Sequence, residues 1–101
     1  MKLQVKEQKL RQGADEEIAY ALTTTPWGKN PTDVAVKAYD CNADYADVTS
    51  RVLSGAASVT GDVITTPVVK SLKERTDYRI EVKFTTGSKV LECFFMLHGE
   101  R

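Results

Sequence analysis

The chain has 101 residues, 14 basic and 14 acidic side chains, and two cysteines. That length predicts one domain over residues 1–101 with one modest core, in which residues 1–15 form an N-terminal strand or covering segment. Balanced charge argues against non-specific nucleic-acid binding, which needs a positive surplus to displace counterions, and no apolar run approaches the roughly 20 residues that span a bilayer.

Lys2, Gln4, Lys6 and Glu7 interrupt any apolar signal-peptide core, so the expected site of synthesis is a cytoplasm. Leu3 to Lys6 reads as a short first strand. Helix over Leu3 to Leu10 is an open alternative, because the stretch is rich in Lys, Glu and Gln. Arg11 to Asp15 reads as a turn. Ile18, Tyr20 and Leu22 alternate with small residues, which predicts a second strand. Thr25 to Pro31 is a loop punctuated by two prolines and a glycine, and it carries Trp27, the sole tryptophan. Val34, Val36 and Ala38 predict a third strand. Asp40 to Asp47 is polar and turn-like. Val48 to Leu53 predicts a short strand ended by Ser54 and Gly55. Ser58 to Asp62 reads as a hairpin connection. Val63 to Val69 is the next strand, with Pro67 marking an edge or irregular end.

The next stretch is the most informative. Leu72 to Asp77 reads as a tight corner, and Tyr78, Ile80, Val82 and Phe84 then alternate with Arg79, Glu81, Lys83 and Thr85. This period of two is the mark of a half-buried strand. Where a chain crosses between two sheets, backbone groups lose their partners. A Tyr at the start of the next strand can bury its ring and return its hydroxyl to one of them. Leu72 and Tyr78 are therefore the expected structural corner. Thr86 to Ser88 predicts a hairpin turn, and Lys89 to Leu97 the last strand. Seven or eight short strands without a long helix predict an all-β sandwich.

The spacing of Leu72, Thr76 and Tyr78 resembles the tyrosine corner of fibronectin type III domains. That resemblance implies an immunoglobulin-like antiparallel β-sandwich of about seven strands. Antibody domains place a bridging cysteine two residues after the corner Tyr. Here that position is Ile80, so Cys41 and Cys93 are expected as free thiols in a reducing compartment.

A second resemblance rests on longer segments. They are the Pro26-Trp27-Gly28 loop, Val34 to Asp40, Asp47 to Ser50, Val52 to Gly55, Ser58 to Pro67, Tyr78 to Phe84, and the close at Gly99 to Arg101. Together they resemble a group of small, mostly uncharacterised proteins from the virion-structure gene clusters of tailed phages and prophages. The resemblance covers roughly residues 18–101. It implies incorporation into a phage particle or a role in its assembly, with other virion or phage proteins as partners. It carries over no catalytic residue.

The chemistry-bearing residues are sparse. His98, the only histidine, falls beyond the predicted end of the last strand and reads as a solvated terminal side chain. No paired-Cys or multi-His motif, phosphate loop or nucleophile motif is present. Asp40, Asn42 and Asp44 copy the opening of a calcium loop. Tyr45 then stands where the turn needs Gly, and Arg51 where the loop needs a bidentate Glu. The expectation is no enzyme, no cofactor and no metal.

Two features leave a choice open. Trp27 either caps the open end of the sandwich or contacts a partner; in the second case a carbohydrate or cell-surface ligand would use it together with Tyr39 and Tyr45. The last strand is apolar on both faces, with Leu91, Cys93, Phe95 and Leu97 on one and Val90, Phe94 and Met96 on the other. Either Leu3, Val5 and Leu10 cover the second face, or it is an assembly surface on an edge strand. Phe94 and Met96 are then contacts for another protein or a second copy.

Overall fold

The computed structural model describes the backbone of residues 2–4 and the whole of residues 9–101. Val5, one of the expected covering residues, lies outside the described residues, as does the Leu3 side chain. The main sheet is built on two long antiparallel strands, β10 (Asp77–Thr86) and β11 (Lys89–Glu100), joined by the turn at Gly87 and Ser88. Gly87 opens that turn at φ +58°, a value glycine adopts without steric cost. On the far side of β10 lies β4 (Thr32–Asp40), followed by the two-residue β5 (Ala46–Asp47).

The other side of β11 is occupied by the N-terminal segment. β1 (Lys2–Gln4) runs parallel to β11 at Glu92–Phe94, and β2 (Leu10–Gly13) runs parallel to it at Leu97–Glu100. This overturns two expectations: residues 11–13 are strand rather than turn, and the last strand is not a sheet edge. Residues 2–4 are strand, and residues 5–8 lie outside the described residues. β1 and β2 lie beside β11 in the plane of the sheet. Leu10 packs into the core on the inner side and so does not cover the outer face.

A second layer covers the inner face. It contains β3 (Ala21–Thr23), β7 (Ser58–Thr60) and β8 (Val63–Thr65) in the order β3-β8-β7, and the short pair β6 (Leu53–Ser54) and β9 (Val68–Val69). Ile18 joins it only through a bridge to Val69. Two departures from the sequence reading have local causes. The Val48–Leu53 stretch forms the single helical turn α1 (Thr49–Val52) instead of a strand. The Asp47 carboxylate takes the Thr49 N–H, and the Val48 carbonyl takes the N–H groups of Arg51 and Val52. Such local bonds outweigh weak strand propensity. The run from Val63 to Val69 breaks into β8 and β9. The Thr66 hydroxyl donates to the Pro67 carbonyl and accepts the Tyr20 N–H, and Pro67 has no N–H for a ladder.

The layers enclose two apolar clusters. Ala38, Tyr78, Ile80, Phe95 and Leu97 of the main sheet meet Val52, Val69 and Leu72. Val82, Phe84 and Cys93 meet Ile64 of β8. The result is an all-β protein of stacked sheets, the arrangement of a sandwich.

Candidate functional site

The corner is built from three contacts. Tyr78 is fully buried, and its hydroxyl accepts the Lys73 N–H at 2.9 Å. Leu72 is buried beneath it. Gly99 of β11 passes so close that a Cβ there would lie 2.1 Å from the Lys73 carbonyl oxygen. Backbone bonds from Arg75 to Gly99 and from Gly99 to Thr76 close the contact. Neither Gly99 nor Gln12 was singled out from sequence. Gln12 is fully buried, its amide donates to the carbonyls of Glu16 and Val69, and its oxygen accepts the Tyr20 hydroxyl at 2.7 Å. One side chain therefore ties β2 to the second layer. A polar residue in a turn-like run gives no hint of this, because its partners are remote main-chain groups.

His98 is not a frayed terminal residue. β11 continues to Glu100, and His98 pairs with Asp77 on one side and Arg11 on the other. Its Nδ1 lies 2.7 Å from Asp77 Oδ1, while Lys9 Nζ lies 2.8 Å from Asp77 Oδ2. Bonds first to Lys9 and then to His98 hold the Asp77 carboxyl below its usual range. An ionised carboxylate only accepts, so Nδ1 carries the proton. An acid holding an imidazole is two-thirds of a hydrolytic triad. Burial, and then the Asp77 charge, push the Cys41 thiol up, which disfavours the nucleophilic thiolate. Burial raises Cys93 further, to about 11. Both thiols are free.

The loop carboxylates serve their own backbone. Asp40 accepts the Asn42 N–H, Asn42 accepts the Asp77 N–H, and Asp47 accepts the Thr49 N–H. Among the described residues no group of three His, Cys, Asp or Glu is placed to hold a metal ion.

Trp27 is folded back onto the core. Its ring centroid is 6.4 Å from that of Phe84, and its backbone N–H donates to the Thr24 carbonyl within a turn stapled to Asp62. It walls an open cleft of about 350 Å³ between the layers with Tyr20, Leu22 and Phe95. Tyr39 and Tyr45 line a different depression, with Arg79 and Glu81. The three aromatics are therefore not brought together.

The outer face of the main sheet holds the remaining candidates. Phe94 and Met96 are half-buried there: Phe94 lies between Glu81 of β10 and Gln4 of β1, and Met96 lies beside Arg79, with Tyr39 on the far side of that residue. The Arg79 guanidinium lies 3.8 Å above the Phe94 ring. Its Nε is 2.9 Å from the Glu81 carboxylate, yet buried and without an aligned hydrogen bond, so this contact is an ion pair. At the tip beyond β4, Asp44 and Tyr45 both take left-handed backbone angles, φ 54° and 56°. Such angles are strained for a tyrosine, and they leave its side chain 57% exposed. Comparison with family models, curated proteins and solved structures finds no match to this chain.

Proposed function

We propose that this protein is a non-enzymatic structural or assembly component of a phage or prophage particle, and that it works through protein–protein contact on the outer face of its main sheet. The observation that carries the contact surface is the composition of that face. Tyr39, Arg79, Phe94 and Met96 lie within one sheet face, half-buried, with the exposed Tyr45 in the turn at its border, while the second layer packs on the opposite face. Tyr, Phe, Met and Arg are the residue types enriched in interface cores. The particle setting rests on the segments from Pro26 to Arg101 that resemble phage proteins. The fold is proposed as an immunoglobulin-like sandwich of the fibronectin type III kind, supported by the Tyr78–Lys73 corner bond. A carbohydrate-binding role through Trp27 has less support, because that ring is turned toward Phe84 and stands apart from Tyr39 and Tyr45.

The test is mass spectrometry of purified particles from the source strain, together with capture of particle proteins on the immobilised chain. The reading expects the protein in the particle or on an assembly intermediate, and expects Phe94→Lys to reduce capture at least tenfold with the fold intact. Its absence from both particle and intermediates, in a strain that makes it, rejects the proposal.

A further inference from the structure

We propose that the outer face of the main sheet pairs with the same face of a second copy of this chain, strands antiparallel. The two-fold axis lies in the interface and crosses β10 between Arg79 and Glu81. This rests on the reading of that face as a contact surface and names its partner.

The argument is the order of charges along β10. On the outer face the strand presents Lys83, Glu81, Arg79 and Asp77, so the sign alternates along its length. A row of this kind laid antiparallel on its own copy sets every cation against an anion. Lys83 meets Asp77 of the second copy, and Glu81 meets its Arg79. Laid parallel, the same row sets like against like at all of these positions, which costs free energy.

The neighbouring strands obey the same operation. Pairing along β11 places Glu92 beside Lys83, Phe94 beside Glu81, Met96 beside Arg79 and His98 beside Asp77. The antiparallel overlay then sets Glu92 against His98 and Phe94 against Met96. On β4, Lys37 lies beside Glu81 and Tyr39 beside Arg79, so Lys37 meets Tyr39. No like-charged pair arises in any of the three columns. Sheets stack at about −30°, so the match is closest at the axis and loosens toward the corners. At the axis two Arg79–Glu81 pairs would form a ring of four charges, flanked by two Phe94 rings each already carrying a guanidinium. These groups keep their partners within the chain; the second copy adds to the networks and does not replace them.

The size of the face sets the strength. Three strands about 4.8 Å apart and some seven residues long cover about 340 Å² per copy, a little under half of a standard interface. Tyr45 and Val90, 57% and 60% exposed, extend its rim. The dimer is therefore weak and concentration-dependent.

Sedimentation of the full chain between about 10 µM and 1 mM, at low salt and at about 0.5 M salt, tests this. The wild type should pass from monomer to dimer across that range and should dissociate in salt. Arg79→Glu and Glu81→Arg should each stay monomeric. Mixed in equal amounts they should recover a 1:1 dimer, because each chain then carries the charges the other lacks. Lys83→Glu changes an exposed side chain, keeps the wild-type melt and should weaken pairing about tenfold, which covers the case in which the Arg79 or Glu81 variant fails to fold. A wild type still monomeric at the highest concentration overturns the proposal, as does a dimer indifferent to all three substitutions, or a mixture of folded variants that does not recover pairing. A monomer that still captures a particle protein through Phe94 removes the self-pairing and leaves the contact surface. A dimer absent from particles and intermediates does the reverse.

Discussion

Phe94 and Phe95 are neighbours on β11 and chemically identical, yet they stand on opposite faces of the same sheet. Phe95 is 5% exposed, its ring tilted at 51° against that of Tyr20 with centroids 5.3 Å apart, and packed among Leu97, Ile80 and Val69. Phe94 is half-buried and roofed by a guanidinium. The inner ring is held by close packing in which a missing methylene leaves a void. The outer ring is held by one cation and by the sheet beneath it. The comparison shows that apolar character on both faces of a strand does not imply a core on both faces. An arginine on the adjacent strand can shelter an aromatic ring that the second layer does not reach.

The strongest way to break this comparison is to truncate each ring. Phe95→Ala should lose about 3–5 kcal/mol of stability in denaturant melts, and Phe94→Ala about 1 kcal/mol or less, the worth of a partly exposed cation–π contact. Equal losses would mean that the outer face is also packed core. A second probe moves to the buried polar link between the layers. Gln12→Leu should cost about 1–3 kcal/mol, because the Val69 carbonyl loses its partner in a buried place, while the partly buried Glu16 carbonyl and Tyr20 hydroxyl must turn to water. An unchanged melting temperature would show that β2 is not tied to the second layer through this side chain.

Tyr78→Phe is smaller still. It removes one hydroxyl and leaves the Lys73 N–H without its partner, for a loss of about 1 kcal/mol. Superimposable melts would show that the corner bond contributes nothing. The last probe changes no stability. Thiolate is the reactive form, and a raised pKa lowers its fraction at any pH below that value. Cys93, at about 11 and inside the core, should resist a thiol reagent near neutrality in the native protein, while the half-buried Cys41 reacts slowly. Denaturant without reductant should release both thiols. A mass two units lower that reductant restores would reveal a bridge and contradict the free pair.

Much of the fold was legible because its signals are local. The alternation from Tyr78 to Phe84 places an apolar side chain inward at every second residue, and any sheet with one buried face needs that period. Gly87 marked the hairpin, and the Leu72–Tyr78 spacing placed the corner. Other features depended on groups distant in sequence. Residues 2–4 and 10–13 include helix-forming types, yet β11 offers them unpaired backbone groups, and pairing there outweighs propensity. His98 appeared terminal until β2 and Asp77 enclosed it. Gln12 resembled a turn residue until Val69, far along the chain, supplied its carbonyl. The charge order of β10 was written in the sequence from the start. Its meaning as a self-complementary face appeared only when the register of β4 and β11 set the neighbouring columns beside it. Strand period follows from each residue and its near neighbours, whereas register and face-to-face charge matching depend on pairings that only the folded chain brings together.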